Sequence, residues 1–164
     1  MAADLSYATF PTPIGPFTVV ASADGVVATT SGDPLALVDG LVRRLGVAPR
    51  PAALRAAGRD LEGYFGVRSR RLRTPPDLRL ATTPFGRAVL EEVVAIPYGE
   101  LRTYGDVAAA AGRPRAGRAA GSVLARSPIE LFVPCHRVVP AGPGFGTYGD
   151  DERRLFLLRL EGAA

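Results

Sequence analysis

Val133-Pro134-Cys135-His136-Arg137-Val138 carries the single cysteine and the single histidine of the 164-residue chain, side by side. Ile129-Glu130-Leu131-Phe132-Val133 before it is a short, mostly apolar run that reads as a buried strand, and Pro134 ends it because proline cannot donate to a ladder. Cys135 is therefore expected where a buried element stops, a place from which a side chain can face a pocket on a rigid support. A thiol is a nucleophile only as the thiolate, so it needs a base, and His136 is the one imidazole available. Neighbouring side chains on an extended chain point to opposite faces, so cooperation between the two requires a turn or a bridging water.

Outward from this stretch, the second half reads as mostly helical. Thr83-Pro84 starts a helix to about Ala95, with Val89, Val93 and Val94 as its inward stripe, and Ile96-Pro97-Tyr98-Gly99-Glu100 is a turn. Thr103 with Asp106 three residues on is a capping box for a helix from Tyr104 to Ala111, closed by Gly112. A second short helix covers about Ala116–Ala125. The pair reads as a helix-turn-helix or, on helix pattern alone, as an ordinary αα-hairpin. Between Val107 and Ile129 there are four arginines (113, 115, 118 and 126) and no acid, and the second helix is a set of small residues around Arg118. So little bulk permits close approach to a nucleic-acid groove, and Arg118 is the candidate to fill the gap left by an extruded base. Downstream, Gly142–Gly149 contains four glycines, Asp150, Asp151 and Glu152 suit the first turn of a last helix, and Leu155, Leu158 and Leu160 would pack inward. Glu161, at its end, is either a solvent carboxylate or the third group behind the base.

The first half reads as β-rich. Ser6–Phe10, Phe17–Ser22 and Val26–Thr30 form a three-strand meander. Asp33-Pro34 opens a helix to about Leu45, and Pro51 is expected to open another to about Phe65. The segment 67–80 is extended and basic, and Arg68, Arg70, Arg71 and Arg73 read as a solvated face. These patterns predict an α/β (α+β) fold in two parts: an α/β domain at 1–80, and at 81–164 a mostly helical domain with the cysteine.

Composition excludes several classes. The hydrophobic fraction of 47% marks a folded chain, and no apolar stretch is long enough for a membrane span. The N-terminus lacks a secretory pattern, which leads us to expect a reducing cytoplasm. One cysteine rules out an internal disulfide, and with one histidine it cannot form a usual structural zinc site. The net charge is +4, carried entirely by arginine, which suits phosphate contacts. A papain-like hydrolase would need a histidine from a distant part of the chain, and His136 is the sole one.

Pro134-Cys135-His136-Arg137-Val138, Arg118-Ala119-Ala120-Gly121, Ile96-Pro97-Tyr98-Gly99-Glu100, Thr103-Tyr104 and Leu160-Glu161-Gly162 together resemble the O6-alkylguanine-DNA alkyltransferases. The likeness runs without gaps from about Pro84 to Val139 and is weaker in the first half, through Tyr7, Thr12–Pro16 and Asp24-Gly25.

The resemblance implies single-use repair of alkylated double-stranded DNA by a monomer, with neither metal nor organic cofactor and no membrane involved. Cys135 would take the alkyl group from O6 of guanine, with O4 of thymine as a second candidate donor. His136 and Glu161 would activate the thiol through a water, and Tyr104 would donate to the guanine ring. Ala116, Gly117, Arg118, Gly121 and Ser122 would meet the minor groove. Ser127, Val138, Tyr148 and Gly149 would line the base pocket, and the carbonyls of Cys135 and Val138 would read the exocyclic amine. Three departures stand out. Ser127-Pro128 replaces the usual Asn-Pro, Tyr148-Gly149-Asp150 is one residue short at the pocket lip, and Leu90 replaces a common tryptophan. A non-catalytic lesion binder and a thiol acceptor for a different or bulky alkyl donor are the alternative functions.

Overall fold

The computed structural model describes residues 4–144 and 151–164. Two compact units account for them: residues up to 80 together with 128–132, and residues 81–127 with 133–164. The return of Pro128–Phe132 to the first unit departs from a division of the chain at a single point.

The first unit is built on a four-stranded sheet of order β3-β2-β1-β4. β1 (Ser6–Phe10), β2 (Phe17–Ser22) and β3 (Gly25–Thr30) form the expected antiparallel meander, with Ser6 opposite Ala21 and Phe10 opposite Phe17. Gly25 is required where β3 begins. Its φ is +147°, and a Cβ there would run into the carbonyl of Pro75, whose oxygen accepts the Val26 amide at 2.9 Å. α1 (Pro34–Leu45) starts where Asp33 caps the Leu35 amide and ends at left-handed Gly46. Leu41 of α1 joins Leu5, Val20, Val27, Ala28 and Leu80 in one core cluster.

Pro51 does not open a helix. Arg50–Pro51 is the short strand β4, parallel to β1, in which the amides of Arg50 and Ala52 donate to the Leu5 and Tyr7 carbonyls at 2.9 Å each. Proline is tolerated between them because its missing N–H belongs to the position that does not pair with β1. α2 starts later, at Arg55, and runs to Phe65, burying Ala57, Asp60, Leu61 and Tyr64 along one face.

Ile129, Leu131, Phe132 and Val133 are buried as their apolar character requires, with Glu130 exposed, but the segment is irregular chain and not a strand. Leu131 has a φ of +69°, which breaks the extended conformation. The segment is tied to β3 by single bonds: the Thr29 amide donates to the Pro128 carbonyl at 2.8 Å, and the Glu130 amide donates to the Thr29 hydroxyl at 2.7 Å.

The second unit contains α3 (Pro84–Val94), α4 (Tyr104–Ala110), α5 (Gly117–Ala125) and α6 (Glu152–Leu160). α3 buries Gly86, Val89, Leu90 and Val93, whereas Val94 is exposed; the inward stripe follows the 3.6-residue period through Leu90. In α6 the fully buried leucines are Leu157 and Leu158, with Leu155 and Leu160 only half-buried. The two-residue strands β5 (Arg102–Thr103) and β6 (Val138–Val139) pair in parallel. That short ladder ties the start of α4 to the chain leaving the Cys135–Arg137 stretch.

Candidate active site

Cys135, His136 and Arg137 form a single 3-10 turn between Pro134 and β6. The Cys135 amide donates to the Val133 carbonyl at 2.8 Å, and the Val138 amide closes the turn on the Cys135 carbonyl. That bond occupies one acceptor site of the carbonyl. The cysteine is half-buried, while His136 and Arg137 are buried. Of the two routes to cooperation, a turn or a bridging water, the chain supplies a turn.

Glu161 is not a solvent carboxylate. It follows the last residue of α6, and its side chain is wholly buried. A carboxylate at a helix C-terminus sits at the negative end of the macrodipole, so cations and donors have to hold it there. His136 Nε2 lies 2.7 Å from Glu161 Oε1. Arg137 donates through Nε to both carboxylate oxygens, at 3.2 and 2.9 Å, and through Nη2 to Oε1 at 2.8 Å. The Gly99 amide adds a bond to Oε2 at 3.2 Å. Arg137 Nη1 meanwhile donates to the Ile96 carbonyl at 2.7 Å, and its guanidinium lies 5.8 Å from the centre of the Tyr98 ring. The Tyr98 hydroxyl donates to the Leu160 carbonyl at 3.1 Å. The 96–100 turn and the end of α6 are thereby joined around one carboxylate.

The electrostatics follow from this packing. Burial pushes the Glu161 carboxyl up, but the hydrogen bonds of His136 and Arg137 outweigh it and hold the group well below the usual carboxylate range. Burial pushes the His136 imidazole down, against the raising effect of Glu161, so it lies below the ordinary value of 6.5. The buried set at neutral pH is thus an Arg137–Glu161 ion pair beside a neutral imidazole. An ionised carboxylate can only accept, which assigns the imidazole proton to Nε2 and leaves the lone pair on Nδ1. That is the state a general base needs.

Arg137 is the functional residue that residue-by-residue reading passed over. The available signal was a permanently charged side chain inside an otherwise apolar run, Leu131 to Val139, which demanded a buried anion.

The other expected residues fall into place unevenly. Tyr104 is the first residue of α4, capped by the Thr103–Asp106 box, and is half-buried. A Cβ at Gly121 would lie 3.7 Å from its ring, and one at Gly117 would lie 3.5 Å from the Gly105 amide. The glycines of α5 thus face α4, where a Cβ would meet ordinary van der Waals contact, and Ala116 is half-buried at the helix start. Of the five residues expected at the groove, Arg118 and Ser122 are exposed, as are Ala119 and Ala125 of the same helix. Val138 is fully buried in β6. Ser127 lies just past α5, its amide donating to the Leu124 carbonyl at 3.2 Å. Tyr148, Gly149 and Asp150 lie outside the described residues. Among the described residues no group of histidine, cysteine and acidic side chains has a metal-binding arrangement, and no helix is long and apolar enough to cross a membrane.

Residues 84–163 match the family model described as the DNA-binding domain of 6-O-methylguanine DNA methyltransferase. A methylated-DNA–protein-cysteine methyltransferase of Methanosarcina acetivorans is 36% identical over 163 residues, covering 96% of this chain and 98% of that protein. One from Mycobacterium leprae is 38% identical over 152 residues, covering 91% and 87%. Among solved structures, Mycobacterium tuberculosis OGT in complex with DNA is similar with a TM-score of 0.80 at 32% identity, covering 96% of this chain and 93% of that one.

Proposed function

This chain belongs to the methylated-DNA–protein-cysteine methyltransferases, and from that premise we propose how its own residues repair alkylated DNA. The observation that carries the reading is the buried His136–Glu161 contact of 2.7 Å, one residue beyond the single cysteine.

In the proposed reaction His136 Nδ1 takes the Cys135 thiol proton through a water, and the imidazolium that forms is stabilised by Glu161. The thiolate attacks the alkyl carbon on guanine O6. As the new S–C bond forms, the C–O6 bond breaks and its electron pair stays with the base, which Tyr104 helps to neutralise by donating a proton to a ring nitrogen. A thioether has no hydrolysable bond, so each molecule acts once. α5 is the element that meets duplex DNA. Arg118 occupies the space left by the extruded base, with Ser122 beside it and the small residues Ala116, Gly117 and Gly121 keeping the helix thin. Among the described residues, Ser127 and Val138 belong to the base pocket. The protein works as a cytoplasmic monomer without metal or organic cofactor.

Intact-mass spectrometry after mixing with an O6-methylguanine duplex tests this. The expected result is a gain of one methylene per protein, mapped to Cys135 and absent in Cys135→Ser. Duplex binding without any mass change would identify a lesion binder, and repeated turnover by one molecule would overturn the single-use mechanism.

A further inference from the structure

The first unit carries a second concentration of positive charge. Arg68, Arg70, Arg71 and Arg73 lie in one six-residue span beyond α2, all four are exposed, and no acid occurs between Gly63 and Pro76. Arg68 makes one solvent-exposed pair with Glu62 at 3.4 Å, a contact of little energetic weight.

This segment has no regular secondary structure, yet its backbone is held at many points. The Gly63 carbonyl accepts the amides of Arg68 and Ser69 at 2.9 and 3.1 Å. The Ser69 hydroxyl accepts the Arg71 amide at 3.2 Å and donates to the Arg71 carbonyl at 2.8 Å. Asp60, buried in α2, spends both carboxylate oxygens on the loop: Oδ1 accepts the Arg73 amide at 3.0 Å and Oδ2 the Thr74 amide at 2.7 Å. A solvated basic loop has no need of a buried carboxylate beneath it. A loop fixed in advance loses less conformational entropy when its side chains bind.

We propose that the 68–73 loop is a phosphate-binding surface of the first unit, separate from α5, which adds sequence-independent affinity for DNA. Arginine suits this use because its planar fork matches phosphate oxygens. The choice of DNA as the polyanion rests on the repair reading above; the display of the arginines does not.

The test compares the parent, Arg70→Gln/Arg71→Gln/Arg73→Gln, and Asp60→Asn. Each is titrated with an unmodified duplex and an O6-methylguanine duplex over a range of salt, and each is assayed for alkylation by O6-benzylguanine alone. The triple variant should make the salt slope shallower by about two to three, at roughly 0.9 per lost phosphate contact, and weaken both duplexes at least about tenfold at low salt. Its reaction with O6-benzylguanine should match the parent, which shows that the fold and the thiol are intact. Asp60→Asn separates a built surface from bulk charge. It raises the net charge by one, so simple electrostatics predicts tighter binding. It also leaves one loop amide without an acceptor, so a pre-set loop predicts binding weakened by a few-fold. An unchanged salt slope in the triple variant would overturn the proposal, as would a preference of the parent for phosphatidylserine vesicles over duplex that the substitutions abolish. If Asp60→Asn fails to fold, the triple variant decides alone. Failure of O6-benzylguanine to alkylate the parent would count against the repair reading, and the slope comparison would still stand.

Discussion

Arg137→Met removes the permanent charge that Glu161 is built around. The carboxylate would remain buried without its guanidinium, and the Ile96 carbonyl would lose its 2.7 Å partner. Breaking a buried pair by deleting one member costs about 3–5 kcal/mol, and each kcal/mol lowers Tm by about 2–4 °C in a chain of this size, so a fall of roughly 6–20 °C is expected. Lost stability alone would not separate a structural arginine from a positioning one. The distinguishing readout is kinetic. Without Arg137 the Glu161 charge draws a proton onto His136, raising its pKa and removing the base from neutral solution. The rate of alkylation by O6-benzylguanine, measured for variant and parent between about pH 6 and pH 9, should give a variant-to-parent ratio that climbs with pH. Arg137→Met/Glu161→Gln should recover part of the lost Tm, because the orphaned charge is gone, without recovering the rate. A large fall in Tm with a pH-independent ratio would refute the argument and leave Arg137 a purely structural residue.

Arg118→Ala should weaken repair of duplex DNA by tens-fold or more, since unstacking a base costs on the order of a few kcal/mol, while leaving the O6-benzylguanine reaction unchanged. Parallel rate measurements on the two substrates decide it, and equal losses would mean that α5 does not compensate for a displaced base. Acid should destabilise the fold in two stages. His136 and Glu161 both titrate below their unfolded values, so the unfolded chain binds more protons and stability falls as pH drops. Chemical denaturation at stepped pH should show a plateau above about pH 6.5, a first loss below it from His136 and a further loss below about pH 4.5 from Glu161. Gly25→Ala should cost several kcal/mol, about 2–4, because its Cβ would collide with the Pro75 carbonyl at a φ of +147°; a denaturation midpoint equal to the parent's would contradict that geometry.

Where local chemistry alone decides a structure, the sequence was readable. Asp33-Pro34 starts α1, Thr83-Pro84 starts α3, and the Thr103–Asp106 box starts α4, each through bonds made within a few residues. Local patterns failed where a remote partner decides. Pro51 looks like a helix start, but its neighbours' amides are taken up by β1. Ile129–Val133 has the composition of a strand, yet it is bent at Leu131 and held by single bonds to Thr29. In α5 the small residues also have a neighbour that the pattern does not show, since Gly117 and Gly121 lie against α4. At the site, Cys135, His136 and Glu161 could be named from motif and position. The engagement of Glu161 by Arg137 and by the Gly99 amide depends on the 96–100 turn meeting the end of α6, which no spacing in the sequence encodes.

The return of 128–132 to the first unit has a consequence for how the protein is made. Chains leave the ribosome N-terminus first, and an N-terminal unit generally completes its folding before the next is synthesised. Here the amide of Thr29 in β3 finds its acceptor on Pro128, and its hydroxyl is engaged by Glu130. The sheet must wait with that edge unfinished while the whole of 81–127 is translated. A gene fragment stopped at codon 80 therefore encodes a sheet lacking its last partners, whereas one carried through codon 132 supplies them. Nascent-chain proteolysis at successive lengths should accordingly place the gain of protection in the first unit after residue 132 has emerged, later than the order of the genetic message alone would suggest.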